Sequence, residues 1–138
     1  MQPKCANLIL AGVSKCGSTS LFSYLAAHPD VCGSNVKETQ FFMPLKFGKP
    51  LPLLNEYEKF FTNCVDEKYR LDATPYYLFG GKKIATAIRE NLGEVKIIFI
   101  LRNPVGRCYS WYQHALYHLM IPNGISFSDY LKVAEEKI

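Results

Sequence analysis

Apolar runs alternate along the chain with polar, glycine-bearing turns, cutting it into strand-sized and helix-sized pieces. Residues 7–13, Asn-Leu-Ile-Leu-Ala-Gly-Val, are a short apolar run closing on a Ser/Lys/Cys/Gly turn, the pattern of a strand buried on both faces. In residues 18–28 Leu21, Tyr24 and Leu25 fall at helical spacing, and Pro29 stops the pattern. Residues 95–101, Val-Lys-Ile-Ile-Phe-Ile-Leu, predict a second buried strand, with Asn103 and Pro104 as N-cap and first residue of the next helix. That helix carries Val105, Cys108, Tyr109, Tyr112, Leu116 and Leu119 on one stripe. Between these units lie a shorter strand at 69–73 and a helix at 82–92 ended by Gly93. Residues 41–55, with Pro44, Gly48, Pro50 and Pro52, read as a loop running near the mouth of a site. Residues 125–138 read as a last amphipathic helix entered at Ser126 or Ser128. Strand-helix alternation requires crossover connections and hence an α/β fold, a three-layer parallel sheet; with no closing strand after the last helix, it is expected to be incomplete at the C-terminus.

Composition narrows the class. The 138 residues, 49% hydrophobic and 20% charged, can bury the core of one domain spanning 1–138, which argues against disorder. The net charge is +4, with 16 basic residues scattered among 12 acids, so no basic tract of the nucleic-acid type forms and a small anionic ligand suits the balance. No run reaches the roughly 18 to 20 apolar residues of a membrane span, so no membrane contact is expected within this stretch, and the first five residues lack a signal-peptide pattern. The five cysteines are odd in number and contain no CxxC pair. They argue against a zinc site or a dense disulfide framework and read as free, mostly buried thiols, with one disulfide left open for a secretory lumen.

Candidate chemistry begins in the turn Gly12-Val13-Ser14-Lys15-Cys16-Gly17-Ser18-Thr19. A turn from a buried strand into a helix presents unpaired N–H groups and the positive end of the helix dipole, which suits a phosphate. Gly17 permits close backbone approach, Lys15 adds a point charge, and Ser18 and Thr19 add hydroxyl donors. Against the nucleotide-binding pattern GxxxxGK[ST], both glycines are present but Ser18 stands at the lysine position and the lysine has moved inside the loop, which counts against an ATPase or GTPase. Arg102, at the end of the second long run, sits where open parallel sheets bind ligands, and its fork matches phosphate. His114 and His118 lie four apart on one helix without an evident third ligand, so no metal site is expected.

With these residues in place, the chain resembles the sulfotransferases that use 3′-phosphoadenosine 5′-phosphosulfate (PAPS), the carbohydrate enzymes of the heparan sulfate type in particular. The stretch GVSKCGSTSLFSYLAAHPDV is similar to that family's 5′-phosphosulfate loop, which implies cofactor binding by Lys15, Cys16, Gly17, Ser18 and Thr19; Cys16 stands where the family often has Gly. Residues 98–110 are similar to the family's 3′-phosphate segment, an arginine at a strand end with a serine eight residues on, which implies Arg102 and Ser110. Lys37-Glu38-Thr39-Gln40-Phe41-Phe42 resembles the segment in which a glutamate before an aromatic pair is the general base, so the resemblance makes Glu38 catalytic alongside Lys15. Gln40 replaces a frequent His, and Phe41 and Phe42 read as core. Leu71-Asp72-Ala73-Thr74-Pro75-Tyr76-Tyr77 looks like the E-K-T-P-x-Y segment near the acceptor cleft, with Ala73 in place of the lysine. It implies Asp72 and Tyr76, together with Gln40, as substrate-facing residues, a turn or capping role for Asp72 and Thr74 standing as the other reading.

The function the resemblance implies is in-line transfer of a sulfuryl group from PAPS to an acceptor hydroxyl or amine, with a carbohydrate as partner, 3′-phosphoadenosine 5′-phosphate as product and no metal. It implies a Golgi-lumen enzyme, a cytoplasmic one remaining open. Two other classes stand beside it: a P-loop-type small-molecule kinase, which magnesium dependence would reveal, and a module that binds a phosphoadenosine nucleotide without turnover, which a sulfate-transfer assay would separate.

Overall fold

The structure is a computed structural model and describes residues 4–135. The chain divides after Leu101 into two compact units. The first holds four strands, β1 (Leu8–Gly12), β2 (Val31–Gly33), β3 (Tyr69–Asp72) and β4 (Lys96–Phe99), and three α-helices, α1 (Ser18–Ala26), α2 (Leu54–Glu58) and α3 (Gly81–Leu92). The strands form one sheet in the order β2-β3-β1-β4, every pair parallel, as the strand-helix alternation predicts. Leu8 faces Leu71 of β3 on one side and Lys96 of β4 on the other.

The alternation of side chains along β1 builds a core on each face of the sheet. Leu8 and Leu10 join Val31, Leu71 and Ala73 against Leu21, Phe22 and Leu25 of α1. Ile9 and Ala11 point the other way, into Ile84, Ala87 and Ile88 of α3 and an aromatic group of Phe41, Phe42, Tyr57, Phe61 and Tyr77. Helix, sheet and helix thus make the three layers expected.

Four details depart from expectation. β2 was not foreseen, because three residues are too few to show a period. β4 forms where the apolar run predicts it, but among the described residues it pairs only with β1 and is not buried: Ile97 and Phe99 are about half exposed, as an edge position there leaves them. The stretch 41–55 is not simply a loop at a site mouth; Phe41, Phe42 and Met43 are buried core, a 3-10 turn spans Met43–Phe47, and α2 begins at Leu54. Finally, Cys32 and Cys64 are bridged, tying β2 to the segment after a 3-10 turn at Lys59–Phe61; the favoured reading of free thiols holds for Cys5, Cys16 and Cys108, and the single disulfide left open is formed.

The second unit holds α4 (Pro104–Tyr117) and α5 (Phe127–Glu135). Asn103 caps α4 as predicted, its Oδ1 accepting from the amides of Val105 at 3.0 Å and Gly106 at 3.3 Å. Ser126 is the residue that enters α5: its Oγ accepts from the amide of Asp129 at 3.1 Å and donates to the Asp129 carboxylate at 2.7 Å. Tyr109 and Tyr112 pack on Phe127, and Tyr112 donates to the carbonyl of Ile125 at 2.7 Å. Of the predicted α4 stripe, Tyr112 and Leu116 are partly buried, whereas Val105 and Leu119 are exposed and Leu119 lies beyond the helix end. The tail of the predicted last helix, residues 136–138, lies outside the described residues.

Candidate functional site

In a sheet whose strands all run the same way, every strand delivers its following loop to one edge. The turn after β1 (residues 13–17), the segment after β2 (34–40) and the turn after β3 (73–77) therefore share the carboxyl edge, and these carry most of the site residues expected from sequence.

The turn after β1 is shaped by backbone. Val13 donates to the carbonyl of Ile100 at 3.0 Å and Ile100 donates back to that of Gly12 at 2.9 Å, which pins the turn to the end of β4. Lys15 (φ 65°) and Gly17 (φ 91°) both lie in the left-handed region, where a side chain is disfavoured and glycine is not. Gly12 is confined differently: a Cβ there would meet Leu78 Cβ at 3.2 Å and the Pro75 carbonyl at 3.3 Å, because a 3-10 turn at Pro75–Gly80 packs over it. Gly17 is the N-cap of α1 and makes no side-chain cap hydrogen bond. Gly17 and Thr19 are exposed and Lys15 is half-buried; Cys16 and Ser18 are buried, so Cys16 offers backbone rather than its thiol.

The segment after β2 is shaped by side chains. Glu38 (φ 64°) and Gln40 (φ 54°) are left-handed, and Thr39 between them is held from below. Its hydroxyl donates to Asp72 Oδ2 at 2.8 Å and accepts from the Phe41 amide at 3.4 Å. Thr74 does the same one residue over, donating to Asp72 Oδ1 at 2.8 Å and accepting from the Gln40 amide at 3.2 Å. The Tyr57 and Tyr77 hydroxyls complete the cage, donating to Asp72 Oδ2 at 2.8 and 2.9 Å. Burial pushes the Asp72 carboxyl above its usual range despite these four donors, and burial followed by the Asp72 charge pushes Tyr57 and Tyr77 well above theirs.

The expectation that Asp72 faces a substrate is therefore corrected: it is wholly enclosed, with both oxygens engaged, beneath the segment that bears Glu38. Gln40 is exposed and Tyr76 half-buried. Tyr76 senses Glu38, since its hydroxyl is pushed up first by burial and then by the Glu38 charge. Glu38 is itself half-buried and ion-paired with its neighbour Lys37, Nζ to Oε1 at 2.6 Å. Sequence reasoning missed Tyr57 and Tyr77; the signal available was that a buried tyrosine hydroxyl needs a partner, and Asp72 is the acid in the adjoining strand.

Arg102 and Ser110 belong to the second unit. Arg102 lies over the first turn of α4, its Nε 3.4 Å from where a Gly106 Cβ would stand, and Ser110 follows Gly106 by four residues. The two therefore share one face of α4, with Gly106 leaving room for the guanidinium. At the end of the same helix the rings of His114 and of the C-cap residue His118 lie tilted against one another, with centroids 4.2 Å apart.

Comparison with known proteins gives one answer. Residues 6–137 match the sulfotransferase domain family. The bifunctional heparan sulfate N-deacetylase/N-sulfotransferase 1 of Xenopus tropicalis is 30% identical over 117 residues, covering 81% of this chain and 13% of that protein. The membrane-associated sulfotransferase kil1 of Dictyostelium discoideum is 28% identical over 110 residues, covering 80% of this chain and 23% of that protein. A crystal structure of a sulfotransferase from Alicyclobacillus acidocaldarius superposes with a TM-score of 0.79 at 28% identity, over 95% of this chain and 57% of that one. The chain thus spans less than a quarter of these two relatives and a little over half of the solved structure. A match over nearly the whole length, a fold in common, and a turn and acid segment at the expected sheet edge place this chain in the sulfotransferase domain family.

Proposed function

We propose that the chain carries the donor-binding and proton-accepting parts of a PAPS-dependent sulfotransferase whose acceptor is a hydroxyl or amine on a carbohydrate. The observation that carries this reading is the convergence, on one edge of a parallel sheet, of a glycine-capped helix N-terminus with Lys15 and a segment displaying Glu38 and Gln40. The first suits an anion and the second a proton transfer.

The acceptor O–H or N–H attacks sulfur in line with the bond to the 5′-phosphate; the new bond to sulfur forms as that S–O bond breaks. The proton passes to the Glu38 carboxylate and the electron pair leaves with 3′-phosphoadenosine 5′-phosphate. Lys15 and the first-turn amides of α1 stabilise charge growing on the departing phosphate. Arg102 and Ser110, sharing one face of α4, hold the 3′-phosphate of the nucleotide. Before Glu38 accepts a proton its ion pair with Lys37 must loosen, and that pair favours the second reading, a module that binds the nucleotide without turnover. The family match leaves the kinase reading without support.

The Cys32–Cys64 bridge fits an oxidising compartment, consistent with the Golgi lumen. Among the described residues no helix is long and apolar enough to cross a membrane.

The test is calorimetric titration with 3′-phosphoadenosine 5′-phosphate in the absence of magnesium. Wild type binds in the micromolar range, and Lys15→Ala and Arg102→Ala each lose about 1.5–3 kcal/mol, as charged hydrogen bonds do. A folded protein that binds no nucleotide sinks the donor-site reading. Transfer of labelled sulfate from PAPS to a glycosaminoglycan then decides between enzyme and binder.

A further inference from the structure

Two amides follow Glu38, and both end on the same buried carboxylate. Gln40 N–H reaches it through Thr74 Oγ1, and Phe41 N–H reaches it through Thr39 Oγ1. Glu38 and Gln40 hold left-handed backbone conformations that L side chains rarely adopt and that persist only where their surroundings over-determine them. Asp72 is what over-determines them. It takes no solvent, its two oxygens accept from four hydroxyls, and two of those hydroxyls grip the backbone on the far side of Glu38. The aromatic group anchors the cage in turn: Tyr57 stacks on Phe41 with centroids 4.6 Å apart, and Tyr77 meets Phe42 edge-on at 5.7 Å. An apolar residue at 72 would fill the same core volume, so hydrophobic packing alone does not call for a carboxylate there, and burying one costs free energy.

We propose that Asp72 is a positioning residue that sets the direction of the Glu38 carboxylate through Thr39 and Thr74, so that the acidic position of the LDATP segment serves catalysis from beneath the site rather than by touching the acceptor. The inference rests on Glu38 being the proton acceptor. Displacing a reacting group by about 1 Å costs on the order of 100-fold in rate, and that is the effect a loosened Thr39 produces.

The experiment compares Thr39→Val, which keeps shape and deletes the hydroxyl, Thr39→Ser, which restores it, Asp72→Asn and Glu38→Gln, in the full-length chain. Thr39→Val and Asp72→Asn lower kcat about 100-fold while acceptor KM and 3′-phosphoadenosine 5′-phosphate affinity stay within about twofold, and Thr39→Ser recovers most of the turnover. Amide hydrogen exchange gives a readout independent of turnover: in Thr39→Val the Gln40 and Phe41 amides exchange at least about tenfold faster, with β1 unchanged. The inference is overturned if Thr39→Val leaves kcat and those two amides as in wild type. It is equally overturned if exchange rises as much throughout β1 and β3, which marks a general scaffold role. Should Asp72→Asn fail to fold, the threonine pair still decides. Failure of the underlying reading looks different: Glu38→Gln would keep full turnover, while exchange at Gln40 and Phe41 would still report whether Asp72 holds the segment.

Discussion

The turn after β1 and the segment after β2 reach the same sheet edge by opposite means. The first is held by backbone: hydrogen bonds to Ile100, a glycine at φ 91° and another pressed against Leu78. The second is held by side chains, with threonine hydroxyls tying its amides to a buried carboxylate. The difference follows from the work proposed for each. A loop that wraps an anion must offer its amides, so its shape has to come from glycine and strand ends. A segment that aims one carboxylate can spend its amides on the scaffold and leave only a side chain to the substrate.

The widest separation between the two comes from their own charged residues. Lys15→Ala weakens 3′-phosphoadenosine 5′-phosphate binding roughly 10- to 100-fold, the equivalent of one charged hydrogen bond. Glu38→Gln leaves that binding unchanged and lowers kcat by about 100-fold or more. Calorimetry and labelled-sulfate transfer read both, and a Glu38→Gln variant that lost nucleotide affinity would erase the division of labour. Next in size is Gly17→Ala, which forces an L side chain to φ 91° and destabilises the turn by roughly 1–2 kcal/mol with a matching loss of nucleotide affinity. Steric room is not the reason, because the nearest atom to the added Cβ is Ile100 Cδ1 at 3.7 Å. Thermal unfolding and titration together check it. The side-chain-held segment answers to a different change: Tyr57→Phe removes one of Asp72's donors at unaltered shape and lowers stability by about 1–2 kcal/mol without touching nucleotide affinity.

The same contrast shows what the sequence could reveal. The backbone-held turn was legible because glycine spacing after an apolar run is local, as were α1, α3 and the Asn103-Pro104 entry to α4. The cage was not, since it joins residues 39, 57, 72, 74 and 77 and no short window contains them all. Asp72 in Leu-Asp-Ala-Thr-Pro reads locally as a turn residue. The Cys32–Cys64 pairing fails for the same reason, being separated by 32 residues with no spacing rule to suggest it. The strands β1 and β4 give the converse error: both are apolar runs, but β1 lies inside the sheet and is buried throughout, while β4 is an edge and half-exposed. A hydrophobic run reports that a strand can be buried, and the topology decides whether it is.

The smallest effect bears on the carboxylate itself. Burial raises the Asp72 pKa in the folded chain above its unfolded value, even against four hydroxyl donors. A folded state that holds its proton more tightly than the unfolded one is favoured where the group is protonated, so Asp72's contribution is full below the unfolded pKa and is lost as pH rises through the folded value. Asp72→Asn cannot titrate. The difference in stability between wild type and Asp72→Asn is therefore larger near pH 4 than near pH 7. Every other carboxylate titrates in both proteins and cancels in the subtraction, which isolates this one group. Tyr57 and Tyr77, the phenols that face it, are pushed well above their ordinary range and stay neutral across the window. Paired urea titrations at the two pH values measure the difference. A gap that instead widened toward pH 7 would mean that the hydroxyl cage outweighs burial, so that folding lowers the Asp72 pKa where burial alone would raise it.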